Sequence, residues 1–431
     1  MPIRLDSKAA DFPARFLDVL ALKRETAADV DSAARTIIAD VRKDGDRALI
    51  AYSKKFDGVD LEKVDLRVTP GEISQAARGC DPKALDALKL ARDRIEAYHR
   101  RQLPKDDRFS DSIGVELGSR WTAIEAVGLY VPGGTAAYPS SVLMNAVPAK
   151  VAGVPRIVMV VPAPQGKLNP LVLAAAQLAG IDEIYRVGGA QAVAALAYGT
   201  QTINPVAKIV GPGNAYVAAA KRLVFGTVGI DMIAGPSEVL IIADQTGNPD
   251  WIAADLLAQA EHDASAQAIL ITDAPRLADA VEKSVASQLK TLPRADIAAA
   301  SWRDFGVIIT VGKLDDAVAL TDRLAPEHLE IVAANADALG EKIRNAGAIF
   351  LGAHTPEAIG DYVAGSNHVL PTARSARFSS GLGVLDFMKR TSILKCGAEQ
   401  LRELGGAAIA LGDAEGLTAH ARSVAIRLNT K

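Results

Sequence analysis

The sequence predicts an α/β fold of two tandem Rossmann-like units with parallel-rich sheets, joined to N-terminal helices and a helical C-terminal tail. Three observations carry this expectation. From Thr122 onward, short apolar runs end in Gly or Pro and each leads into an Ala-rich helical stretch, the rhythm of strands joined by crossover helices. Aromatic residues make up only 5% of the chain while Ala, Gly and Val abound, which suits packed α/β layers better than sandwiches. The 431 residues are 49% apolar, enough for more than one core.

The elements follow in order. Residues 1–24 are expected to form a helical segment, and Ala28 to Lys54 and Pro82 to Leu103 repeat apolar positions every three or four residues, as amphipathic helices do. Strands are expected at Ala126–Val131, Arg156–Val161, Glu183–Val187 and Lys208–Val210, with helices at Ser140–Val151, Leu168–Leu178, Ala190–Tyr198 and Asn214–Val224. Their carboxyl ends carry Val131-Pro132-Gly133-Gly134, Gly188-Gly189-Ala190-Gln191 and Gly211-Pro212-Gly213-Asn214. Small residues there admit a ligand to main-chain donors, at the edge where open α/β sheets bind ligands. A second series of strands follows Gly235-Pro236, at Val239–Ala243, Ala268–Thr272, Val307–Val311, Leu329–Val332 and Ala348–Leu351. The early helices are expected to complete this second unit, so that 25–125 joins 236–383, and 126–235 stands as the first. After Val384 the pattern reads as helical to the end, a tail of 384–431 too short to fold alone.

Composition narrows the function. With 48 Lys+Arg against 51 Asp+Glu the net charge is -3, which excludes a basic nucleic-acid binder, and the apolar content excludes disorder. Cys80 and Cys396 are the only cysteines, so a disulfide framework is impossible and the expected compartment is reducing cytoplasm. Met1 to Leu20 lacks the unbroken apolar core of an export signal. The longest uncharged stretch, Ala126 to Ala149, is interrupted by Pro132, Gly133, Gly134, Pro139 and Pro148 and reads as strand, loop and helix instead of a membrane span.

The chemistry-bearing residues cluster late in the chain. Gln259 and His262 are three apart on an expected helix, so both side chains face one way and could converge on an ion; glutamine is a poor ligand beside carboxylate or imidazole, which leaves the ligand set open. Glu327 and His328 put a carboxylate beside an imidazole at the start of a strand, a pair suited to proton transfer, although a solvated turn reads the same way. Gly360-Asp361-Tyr362 through His368 offers an acid and an imidazole among small residues. Glu415 and His420 lie in the tail. Motifs for P-loop NTPases, serine hydrolases and metalloproteases are missing, and so is Gly-x-Gly-x-x-Gly. A metal-dependent hydrolase using Glu327 and His328 on a metal-bound water therefore stays open, as does a silent binding protein on the same fold.

Together, Val131-Pro132-Gly133-Gly134, Gly211-Pro212-Gly213-Asn214, the block from Ile230 to Val239, Gln259-Ala260-Glu261-His262, Pro326-Glu327-His328-Leu329 and Gly360-Asp361-Tyr362 resemble the histidinol dehydrogenases almost end to end. The resemblance implies oxidation of L-histidinol through its aldehyde to L-histidine with two NAD+. It implies a zinc ion on Gln259, His262, Asp361 and His420, with His328 as base and Glu327 activating water for the second oxidation. It further implies that Ser237, His368 and Glu415 hold substrate and that Tyr130, Gln191 and Asn214 contact NAD. The unit 126–235 then becomes the NAD-binding domain, 25–125 with 236–383 the metal and catalytic domain, and 384–431 the dimerisation tail of a homodimer whose active site is shared. Neither nucleic acid nor membrane is implied as a partner.

Overall fold

The computed structural model describes residues 1–22, 28–133, 138–233 and 235–428. Gly134 of the first glycine motif and Ala234 of the block from Ile230 to Val239 lie outside the described residues. In chain order the strands are β1 (Ile3–Asp6), β2 (Asp107–Ser110), β3 (Glu116–Ala123), β4 (Ala126–Tyr130) and β5 (Arg156–Val160). Next come β6 (Glu183–Tyr185), β7 (Lys208–Val210), β8 (Gly229–Ile230), β9 (Glu238–Ala243) and β10 (Gln267–Thr272). The last are β11 (Val307–Thr310), β12 (His328–Val332), β13 (Ala348–Leu351) and β14 (Met388–Lys395).

Two parallel sheets organise the molecule, as expected. The first runs β6-β5-β4-β7-β8 and the second β1-β11-β10-β9-β12-β13, every neighbouring pair parallel. Strands β4, β9, β10 and β12 are buried along their whole length. That explains their continuous apolar runs, because a parallel sheet covered by helices on both faces leaves no polar side to alternate with. Each fully buried Leu or Ile in such a run contributes about 1.5–3 kcal/mol relative to exposure.

Three departures from the sequence reading have physical causes. Residues 1–24 are not purely helical: β1 pairs with β11 at the edge of the second sheet, and Leu5 enters its core. The helices Ala28–Asp44 and Asp46–Phe56 lie on the first unit, not the second, because Ile37, Val41 and Leu49 join a core with Val160, Leu196 and Val217. Helix Pro82–Arg100 does the same through Leu88 and Ile95, which pack with Leu143 and Met144. The tail is not helical throughout: after a single 3-10 turn at Val384–Phe387, β14 pairs antiparallel with β3 from Met388↔Ala123 to Lys395↔Glu116. The helices Ala398–Ala414 and Thr418–Leu428 then pack on each other where Gly405 and Gly412 leave room for Leu428 and Ala421.

The units present opposite sheet edges to the space between them. The first offers its carboxyl edge, at Tyr130 and Val131. The second offers its amino edge, where Glu238 opens β9 and His328 opens β12. Helix Pro249–Ala260 follows β9 and runs back, returning Gln259 to that same edge. Hydrogen bonds join the units there: Asn367 Nδ2 donates to the Met144 carbonyl at 2.7 Å and Gly235 N–H to Thr372 Oγ1 at 2.6 Å.

Candidate active site

Parallel pairing sets His328 beside Val239, and the first residue of β9 grips the catalytic candidates with its backbone. Glu238 N–H donates to Glu327 Oε2 at 3.0 Å, and His328 Nδ1 meets the Glu238 carbonyl at 3.1 Å. A ring that donates Nδ1–H to a carbonyl carries its lone pair on Nε2 when neutral. That Nε2 is buried without a hydrogen-bond partner, 3.6 Å from Asp361 Oδ1. Glu357 Oε1 and Glu327 Oε2 stand 3.7 and 3.8 Å from Nδ1.

Gln259 and His262 meet as their spacing predicts. The Gln259 amide nitrogen lies 2.9 Å from His262 Nδ1, and its Oε1 is fully buried with no partner. Burial holds the His262 pKa below its ordinary value, with the Asp361 charge opposing. Asp361 comes from the short helix Glu357–Tyr362, where Glu357 is one turn earlier on the same face. His368 donates Nδ1–H to the Asp361 carbonyl at 2.9 Å, and its Nε2 lies 3.3 Å from Ser141 Oγ of the first unit.

Acids outnumber bases in this water-poor space. Burial pushes Glu327 up to about 7 and Glu357 up to about 8, each opposed by the nearby His328. Burial works against charge on His328 too, but Glu357 and Glu327 outweigh it and raise its pKa. Asp361 goes the other way: burial raises it, yet the charge of His328 beside it brings it below the usual carboxylate range. A side-chain nitrogen of His328 and carboxylate oxygens of Glu357 and Asp361 all lie within 4.8 Å of one another. So dense an acidic cluster favours a cation.

The remaining expected residues divide. Tyr130 and Gln191 converge at the Gly188-Gly189 turn: the Tyr130 hydroxyl accepts the Gly189 N–H at 2.9 Å, and Gln191 Oε1 is buried without a partner. Burial pushes the Tyr130 phenol up to about 12. Asn214 is exposed and caps helix Ala215–Val224, accepting from Tyr216 and Val217 N–H. Ser237 precedes β9, half-buried. Glu415 and His420 are exposed on the tail, away from the cluster that His328 and Asp361 form.

Sequence reasoning passed over Glu357, Glu330 and Asp255. An acid inside the apolar run of β12 was the available signal for Glu330, and one helical turn before Asp361 the signal for Glu357.

A family model described as histidinol dehydrogenase matches residues 21–428. The chain belongs to the histidinol dehydrogenase family. It is 72% identical to a histidinol dehydrogenase of Rhodopseudomonas palustris, with 100% of both chains covered. It is 73% identical to that of Bradyrhizobium diazoefficiens, again over 100% of each. A crystal structure of histidinol dehydrogenase from Elizabethkingia anophelis superposes with a TM-score of 0.94 at 36% identity, covering 99% of this chain and 98% of that one. Membership in the histidinol dehydrogenases makes the chain an α/β oxidoreductase of histidine biosynthesis. No helix among the described residues is long and apolar enough to cross a membrane.

Proposed function

We propose that the chain oxidises L-histidinol through L-histidinal to L-histidine with two NAD+, at a zinc site formed by Gln259, His262 and Asp361 together with His420 of a second copy. Conversion of histidinol to histidine, the last step of that biosynthesis, is the reaction of the family to which the chain belongs. The observation that carries the residue-level reading is the His328 ring, anchored through Nδ1 and bare at Nε2 beside Asp361.

The side chains fit a zinc ion. The orphaned Gln259 Oε1 and the buried His262 ring supply oxygen and nitrogen donors, and Asp361 adds a negative one, a mixed set of the kind zinc accepts. When bound, zinc would grip the amino alcohol by its nitrogens and offset the carboxylate charge. His328 Nε2 takes the hydroxyl proton in the first oxidation as hydride leaves the carbinol carbon for NAD+. In the second, Glu327 takes a proton from the water that adds to the aldehyde, and the hydrated carbon gives up its hydride to a second NAD+. Glu238 holds both residues through its own N–H and carbonyl and so fixes their spacing. His368, Ser237 and Glu415 are the proposed substrate holders.

Tyr130, Gln191 and Asn214 are the proposed NAD contacts, at the carboxyl edge of the first sheet, where the Gly188-Gly189 turn lets a phosphate or ribose approach the backbone. The exposed tail supports a shared site, since His420 and Glu415 remain outside their own chain's cluster. Both cysteines are free, in keeping with the cytoplasm as the proposed compartment. The experiment is the purified chain with L-histidinol and NAD+. Two NADH per histidinol, suppressed by a chelator and restored by zinc, are expected; one NADH, or indifference to chelation, would overturn the two-step zinc reading.

A further inference from the structure

Behind the site lies a second group of acids for which the reaction has no direct use. Glu330, two residues after His328 and on the same face of β12, is 1% exposed. Its cross-strand neighbours are Ile241 and Phe350, both apolar. Two titratable groups face it from other elements: Asp255 from helix Pro249–Ala260, in side-chain hydrogen-bond contact, and Glu357, whose N–H donates to Glu330 Oε1 at 2.6 Å. Helix Glu357–Tyr362 has no side-chain cap from its own N-cap residue, Pro356, so Glu330 acts as its cap from the sheet. The three elements that meet here are those that present Gln259, His328 and Asp361.

We propose that Glu330 is a positioning residue: it donates its carboxyl proton to Asp255 while accepting the Glu357 amide, and thereby clamps two helices onto the catalytic strand. Two carboxyls in hydrogen-bond contact in an apolar space cannot both be ionised, so one proton must remain between them. The less exposed partner keeps it. Burial and the Asp255 charge hold Glu330 well above the ordinary carboxylate range, whereas burial brings Asp255 up only to about 6, with the Glu330 hydrogen bond opposing. The active-site roles of Gln259, His328 and Asp361 are those proposed above, but the clamp stands without them.

Glu330→Gln isolates the proton, because the amide donates to Asp255 and accepts from Glu357 with no charge to gain. A carboxyl whose folded pKa is raised contributes stability that is complete below its unfolded pKa and lost as pH climbs through the folded one. Wild-type chain should therefore lose thermal stability as pH rises above the ordinary carboxylate range in part through Glu330, and Glu330→Gln should not. The expected result is a Tm difference, variant minus wild type, that grows with pH, at turnover close to wild type. A difference constant across pH would mean an ionised Glu330 and would overturn the proposal. Glu330→Ala, which cannot cap or donate, should lower kcat for histidinol about tenfold or more with a smaller change in KM, as losses of supporting hydrogen bonds do; kcat equal to wild type would also overturn it. If Glu330→Ala does not fold, the Glu330→Gln profile decides alone. Because that profile needs no substrate, it separates failure of the clamp from failure of the proposed reaction.

Discussion

The Nε2 atom of His328 lies 3.6 Å from Oδ1 of Asp361, while the opposite ring nitrogen is tied to the Glu238 carbonyl at 3.1 Å. One residue thus joins the sheet, which fixes its orientation, to the helix that carries a proposed zinc ligand. The first prediction follows. His328→Asn keeps a group that can bond Glu238 but removes the base, so turnover should fall by about 10²–10⁴-fold with zinc content and histidinol affinity preserved. Metal analysis beside steady-state kinetics checks it, and a chain that loses its zinc would make His328 a ligand instead.

Glu327→Gln should separate the two half-reactions. The amide oxygen can still accept the Glu238 N–H, so the geometry is held while the proton acceptor for water is lost. Oxidation of histidinal should slow by about 10²-fold or more relative to oxidation of histidinol, the usual range for a general base. Pre-steady-state NADH traces with each substrate read the ratio; equal slowing of both steps would remove the assigned role.

Mixing distinguishes a shared site from a private one. His262→Ala and His420→Ala chains, each inactive alone, should recover activity when mixed, because a heterodimer assembles one site from the intact body of one chain and the intact tail of the other. Confirmed heterodimers without activity would assign His420 to its own chain.

Stability of the chelated chain should fall as pH rises. Burial lifts Glu327 and Glu357 from the ordinary glutamate value of 4.5 to about 7 and about 8 in the folded chain. Raised values mean that the folded state holds the extra protons, so their contribution is complete below 4.5 and disappears as pH passes 7 to 8. Zinc should then raise Tm more in alkaline than in acidic buffer, since it relieves repulsion present only when the acids are ionised. Thermal scans at several pH values, with chelator or zinc, check the trend; an equal gain everywhere would contradict it.

The loop at Gly211 supplies a prediction remote from the chemistry. Lys221 and Asp231 form an ion pair with side chains 2% and 1% exposed, and together they hold both backbone groups of Gly211: Lys221 Nζ donates to its carbonyl at 3.0 Å and Asp231 Oδ2 accepts its N–H at 2.7 Å. Gly211 has φ +106°, and a Cβ there would come within 2.2 Å of the Tyr130 carbonyl oxygen. Lys221→Met strands a buried carboxylate and should cost about 3–5 kcal/mol, measurable by urea unfolding, with a raised KM for NAD+. A loss under about 1 kcal/mol would mean that Asp231 finds water or a proton instead.

What the sequence made legible depended on burial. Strands such as Glu238–Ala243 and Gln267–Thr272 are covered on both faces, so their apolar runs stand out. Strand Asp107–Ser110 is exposed throughout, and Met388–Lys395 is nearly so; no hydrophobic period marks them, and the antiparallel sheet they form with Glu116–Ala123 went unforeseen. The owner of the early helices was equally hidden, because an amphipathic face declares that it packs but not on what. Within the site, Gln259, His262, Glu327, His328 and Asp361 were foreseen through spacing and family resemblance. Asp255, Glu330 and Glu357 were not, because a lone acid in a sequence reads as solvated until the fold encloses it.

The pairing of β1 with β11, Ile3 against Val307, has a consequence for biogenesis. Strand β1 must wait for the roughly 300 intervening residues before its edge of the sheet exists, a long-range closure of the kind that slows folding and leaves an unpaired strand free to find other chains. A bulky amino-terminal fusion would burden that docking step, whereas a carboxyl-terminal one would not.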